Sequence, residues 1–429
     1  MSVSLLRRSV PWLWLALAAC SGNVLGAAER DGSQSGSADG GDPDAPFVAF
    51  ESLVRRHSRA ELDLTLRDLL GDQSGPATRF LAEDEFAPYD NDYPRQLASQ
   101  ALVDSLEALA QDAAARALAS PAQRAALVPC TPSGARDEAC FRQTLQQLGR
   151  RAFRRALSQA ELDAYLPLLE LAATPPAGVK TDFYTAIELA LRAILQDPEF
   201  LYRIEVGTPR DDVRALDGYE IAARLSYLLW GSTPDDELLR AAEEGELADA
   251  AGRRAQAQRL LDDSRARAQL ARFHAMWLGY RAIPHTPELT TAFAAETAAL
   301  IERVVFDEQR DYLDLFRLEE TFIDAQLARH YGLPPPGGAA QWVSYGDTGR
   351  AGILSHGSVL SAFSKFSDTS PTQRGILVRT RLMCDAVDPP PANINTDEPP
   401  SAMDADCKVE RYEEHRASVA CANCHAALD

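Results

Sequence analysis

Beyond Phe47, apolar positions recur every three or four residues along most of the chain, the period of an amphipathic α-helix rather than of a strand. Between Leu97 and Leu118 they fall at Leu102, Val103, Leu106, Leu109, Ala110 and Ala113. The segment 184–195, YTAIELALRAIL, repeats the stripe until Pro198 stops it. Ser58 with Glu61, Ser158 with Glu161 and Asp217 with Glu220 have capping-box spacing, in which two side chains satisfy the orphan N–H groups of a first turn. The helix behind Asp217, GYEIAARLSYLLWG, is apolar on most sides and is expected to be central. LLRAAEEGELAD and a long run, RRAQAQRLLDDSRARAQLARFHAMWLGY, follow with apolar residues on one face, and FIDAQLARHY (322–331) reads as another short amphipathic helix. QWVSY (341–345) reads as a short extended piece, and 334–338 as a loop. The pattern predicts an all-α, multi-domain body with long loops. Its expected divisions are 47–140, 141–210, 211–347 and 348–429, with no fixed repeat.

The N-terminus has a different pattern. Arg7 and Arg8 precede an apolar run from Val10 to Ala19, which is shorter than the ~18 residues needed to span a bilayer, so 1–19 reads as a signal peptide. It ends Leu17-Ala18-Ala19-Cys20, which resembles a bacterial lipobox and implies lipid on Cys20; the alternative is ordinary cleavage with Cys20 as a bystander. Ser21 after that cysteine, in lipoproteins, implies sorting to the outer membrane. Residues 20–46 are rich in Gly, Ser and Asp and read as a flexible tether. The expected location is therefore the cell envelope, with the membrane contacted through the lipid anchor only.

Charge narrows the function classes. With 43 Lys+Arg against 63 Asp+Glu, the net charge of −20 repels nucleic-acid phosphate and anionic headgroups, and it can steer a cationic exported protein partner. No GxSxG, HExxH, Walker or GxGxxG motif occurs, so hydrolytic and nucleotide-using enzymes are not indicated. No small-molecule substrate is indicated either.

The candidate chemistry lies in the seven cysteines, because an exported chain meets an oxidising compartment. Cys130 and Cys140 bracket a polar loop, CTPSGARDEAC, that packing alone would not hold, and they are expected to be bonded. Cys384 and Cys407 flank DPPPANINTDEPP and form the expected second pair. Cys421 and Cys424 stand in Cys-Ala-Asn-Cys-His, which ends at His425. Two thiols at that spacing can add to the two vinyl groups of one haem, while the adjacent His becomes the proximal iron ligand. A zinc site with Cys407, or a plain disulfide or redox thiol pair, are the other readings of the same residues. Met383, Met403 and His415 are the nearest upstream candidates for a second axial ligand, and a vacant sixth position is the other possibility. His274 and Met276 in RFHAMWLGY read as core residues.

Several longer segments resemble a known family, the planctomycete-type cytochrome c proteins built from PSD domains. The similarity runs through VRRHSRAELDLTLRDLLGD, CFRQTLQQLGRRAFRRALSQAELDAY with FYTAIELALRAILQDPEFLYRIE, and LDGYEIAARLSYLLWGSTPDDELLRAAEEGELA with RFHAMWLGY. It continues in AGILSHGSVLSAFSKFSDTSPTQRGILVRTRLMC and HRASVACANCHAALD. The resemblance implies one covalent haem c and an electron-transfer role, or that of an electron-accepting subunit. A haem-dependent oxidase or peroxidase, and a helical surface scaffold without functional haem, are the competing expectations. Family members usually continue past the motif, so a chain ending at Asp429 reads as a shortened one. Arg374 in TSPTQRG reads as a structural arginine or as a partner for a haem propionate.

Overall fold

The computed structural model describes residues 54–389 except 83–87, 93–95, 211–212 and 366–368, together with 410, 412, 413, 417 and 419–428. The segments expected to be signal peptide and tether lie outside the described residues, as do Cys20, Met403, Cys407, His415 and the side chain of Cys424.

The first helices are α1 (Arg59–Leu70), α2 (Pro76–Phe80), α3 (Gln100–Ala117), α4 (Pro121–Leu127), α5 (Glu138–Ala152), α6 (Gln159–Ala173), α7 (Phe183–Gln196) and α8 (Pro198–Leu201). The capping boxes at Ser58/Glu61 and Ser158/Glu161 are formed, and Asp197 caps α8 directly behind α7, where Pro198 breaks the run. Helix α7 packs against α3, α5 and α6, burying Ile187, Leu191 and Ile194 beside Leu109, Phe141 and Leu162. Small residues at the contact, Ala110 and Ala113 from α3 with Ala186 and Ala190 from α7, are fully buried. One core runs from Leu62 to Leu201, so the segments on either side of residue 140 share it. A two-residue strand β1 (Arg55–Arg56) pairs antiparallel with β2 (Tyr202–Arg203), joining the start of this layer to its end. The buried Arg154, at φ 61, donates to the carbonyls of Ala152, Glu199, Phe200 and Tyr202 and so satisfies carbonyls at the C-terminal ends of α5 and α8.

After the hairpin β3 (Thr208–Arg210) and β4 (Val213–Ala215) come α9 (Gly218–Leu229), α10 (Asp236–Glu243), α11 (Ala250–Leu261) and α12 (Ser264–Trp277). Two expectations change here. Helix α9 is not enclosed on all sides: Tyr227 stacks on His57 at 4.4 Å and Ala222 joins a second core with Trp230, but Leu228 is 69% exposed. The long run after residue 253 is two helices, because the Asp263 side chain accepts from Arg265 N–H and starts α12 anew. Tyr227 Oη bonds Thr65 Oγ1 at 3.0 Å and Ser232 donates to the Leu64 carbonyl, so α9 is docked on α1.

Helices α13 (Pro287–Ile301), α14 (Ala325–Tyr331) and α15 (Gly357–Ala362) surround the hairpin of β5 (Glu320–Ile323) and β6 (Gln341–Ser344). The extended reading of 341–345 agrees with β6. Phe322 and Ile323, expected in a helix, are instead strand residues, because the strand pairs with β6 and sets Phe322 opposite Trp342. Helices α16 (Pro371–Leu377) and α17 (Val419–Leu428) complete the described chain. The protein is mainly helical, as the periodicity predicts.

Candidate functional site

Helix α17 carries the sequence VACANCHAAL, and at 3.6 residues per turn Cys421, Cys424, His425 and Leu428 fall on one stripe. That helix lies against α16. Thr372 Oγ1 is 3.4 Å from His425 Nδ1, and a Cβ at Gly375 would collide with the Leu428 carbonyl, so only glycine allows the two backbones to meet. Tyr412 Oη donates to the Thr369 carbonyl at 2.8 Å, tying the segment before α17 to the start of α16.

The body holds α16 in turn. Leu377, 2% exposed, sits in a third core with Leu278, Leu300 and Ile353. Beyond it the chain widens into a π-helical turn over Val378–Leu382, where Trp277 Nε1 donates to the Arg381 carbonyl at 3.0 Å. The turn ends at Cys384, a non-glycine residue at φ 57.

When the Thr372 hydroxyl accepts from Nδ1–H, the imidazole carries its proton there and its lone pair on Nε2, the form a metal ligand requires. Cys421 is half-buried and bonded to no described cysteine. The thiol and the imidazole are therefore presented together on one helix face, with a hydroxyl to orient the ring. Met383 is 58% exposed and stands at the C-terminal end of the π-helical turn. Cys130 and Cys140 form a disulfide with Cα atoms 5.8 Å apart, linking the chain behind α4 to α5. Cys384 is exposed and bonded to no described cysteine.

Sequence reasoning missed a buried polar cluster around Glu296, which receives the hydroxyls of Thr321, Tyr331 and Tyr345. It read His274 as a core residue, and the ring is fully buried with Nδ1 on the Leu270 carbonyl at 2.8 Å and Nε2 on Tyr312 Oη at 2.7 Å. Among the described residues, no three His, Cys, Asp or Glu side chains converge to hold a bare metal ion.

Four family models match the chain: PSD3 over residues 55–119, PSD5 over 140–205, PSD4 over 216–333 and PSCyt3 over 350–429. Each is described as a protein of unknown function (DUF1587, DUF1595, DUF1592 and DUF1588 in the same order). The chain belongs to the planctomycete-type cytochrome c multi-domain family. Neither the curated proteins nor the solved structures gave a match. Within this cytochrome c-like family, the PSCyt3 stretch is the one that contains α16, α17 and the Cys-Ala-Asn-Cys-His motif.

Proposed function

We propose that this chain is an exported, lipid-anchored c-type haem protein that carries electrons for an extracytoplasmic redox system. The observation that supports it best is the pairing of a CxxCH helix with Thr372 at the Nδ1 side of His425, since a polar group beside the far nitrogen orients the ring of a ligating imidazole. Haem, when bound, supplies an iron that gains and loses one electron. Cys421 and Cys424 would tether it by thioethers, His425 Nε2 would face the iron, and Thr372 would hold the ring. The residues present fit the group. Lipid on Cys20 would anchor the chain, and no described helix is long and apolar enough to cross a membrane. Cys384 is proposed to pair with Cys407; non-reducing peptide mapping that found Cys384 alkylated as a free thiol would remove that bond from the account.

The haem reading is tested by expression with a c-type maturation system. Covalent haem should survive on a denaturing gel and give a pyridine haemochrome spectrum, and Cys421→Ser with Cys424→Ser should abolish both. An unstained wild-type band would leave a helical scaffold as the better account, and steady turnover of peroxide would make the protein an enzyme rather than a carrier.

A further inference from the structure

Many arginines in this acidic chain sit between two carboxylates. Arg142 pairs with Glu138 and Asp163, Arg155 with Glu161 and Glu199, Arg259 with Asp235 and Glu237, and Arg303 with Glu308 and Glu320. Arg374 does not. Its Nη1 donates to Thr369 Oγ1 at 2.7 Å, and among the described residues no carboxylate pairs with it. It lines an open groove between α16 and α17 whose other walls include Pro371, Gly375, Val378, Ala427 and Leu428. The neighbouring Arg379 also borders the groove, but it is neutralised by Asp385 at 3.0 Å.

An apolar trough with one uncompensated guanidinium at its edge suits a flat apolar ligand that ends in a carboxylate. The trough begins on the helix turn that follows His425, and Leu428 on its wall shares the stripe of Cys421 and His425. We infer that Arg374 receives the propionate edge of the haem and that Arg379 does not. This inference rests on the haem reading above. A guanidinium beside a propionate keeps it ionised and offsets part of its negative charge, which makes the reduced iron easier to form. Arg374 is thus a positioning and tuning residue that acts on the cofactor rather than on a substrate.

The test uses the full chain with haem attached, comparing wild type, Arg374→Gln, Arg374→Lys and Arg379→Gln. Arg374→Gln should retain covalent haem and the pyridine haemochrome, while its midpoint potential shifts downward and becomes pH-dependent near neutrality as the released propionate titrates. Arg374→Lys should restore most of the potential, and Arg379→Gln should match the wild type. A haem-loaded Arg374→Gln protein with the wild-type midpoint and pH profile would overturn the inference while leaving the haem reading intact. If Arg374→Gln failed to fold, Arg374→Met, which keeps most of the side chain's length without its charge, would take its place: a lowered, pH-dependent midpoint supports the inference, and the wild-type midpoint and pH profile overturn it. Absence of covalent haem in the wild type would remove both.

Discussion

Tyr331 donates its phenolic hydrogen to Glu296 Oε2 at 2.6 Å in a region closed to water, where Glu296 is fully buried and Tyr331 only 8% exposed. The other carboxylate oxygen accepts from Thr321 at 2.5 Å and Tyr345 at 3.3 Å, while Tyr331 Oη accepts from Gly357 N–H at 2.6 Å. Glu296 thereby joins α13 to β5, α14, the end of the β5–β6 hairpin and the first turn of α15. Burial and the adjacent carboxylate push both phenols well above their usual range, so they stay protonated donors.

Removing one donor leaves a buried acceptor without its partner, which costs ~1–3 kcal/mol, more where the acceptor is charged. Tyr331→Phe also strands the Gly357 N–H. Urea unfolding should therefore give a midpoint lower than wild type for Tyr331→Phe, and lower again for Glu296→Ala, with the groove residues untouched. A Tyr331→Phe protein as stable as wild type would show that the bond carries no net stability.

Acid should destabilise the fold before any carboxylate titrates. Burial holds His57 well below its usual value of 6.5, with Arg154 and Arg203 adding to the effect, and burial also lowers His274 and His356. Above 6.5 each ring is neutral both folded and unfolded, so pH has no leverage; below it the unfolded chain binds protons that the folded sites resist, and stability falls. Unfolding midpoints should drop between about pH 7 and pH 5.5, the range around the ordinary histidine value of ~6.5. His356→Asn should flatten part of that slope while retaining a partner for Thr297, whose hydroxyl lies 3.1 Å from His356 Nδ1. Parallel pH curves for the two proteins would rule His356 out.

Gly375→Ala should act on the site rather than on the body. Its Cβ would meet the Leu428 carbonyl, whereas a Cβ at Gly71 meets nothing, although φ is 73 there. Gly71→Ala should lose about 1 kcal/mol of global stability from the left-handed backbone alone. Gly375→Ala should instead displace α17, reducing the yield of covalent haem and altering the iron spectrum with little change in urea midpoint. Equal haem yield in the two variants would mean that α16 and α17 need not touch.

How much of this was legible in sequence depends on how local each cause is. Ser58 with Glu61 and Asp217 with Glu220 announce helix starts because both partners lie within four residues, and all three capping boxes are formed. The break at Asp263 was equally local, but the apolar stripe on both sides masked it. Strand β5 was not legible, since Phe322 follows strand geometry only because Trp342 stands opposite. The CxxCH spacing made Cys421 and His425 visible, whereas Thr372 lies 53 residues from His425 and only the packing of α16 on α17 reveals it. Glu296 looked like any acidic residue on an amphipathic helix, because nothing local says that Tyr331 and Tyr345 fold over it.

Thr372 offers the sharpest test of how the site is tuned. An acceptor at Nδ1 raises the basicity of the imidazole, and a more basic ligand favours the oxidised iron. Thr372→Val keeps the shape but removes the hydroxyl that lies 3.4 Å from His425 Nδ1. Covalent haem should be retained, because the thioethers need only the two thiols, while the midpoint potential should rise and the iron–histidine stretching frequency should fall. Thr372→Ser, which restores the hydroxyl, should return both toward wild type. The rise has the opposite sign to the fall expected on losing the Arg374 cation, so a general disturbance of α16 would not reproduce the pair. A Thr372→Val protein whose potential and stretching frequency equal the wild-type values would show that the threonine is a packing neighbour of His425 and not its orienting partner.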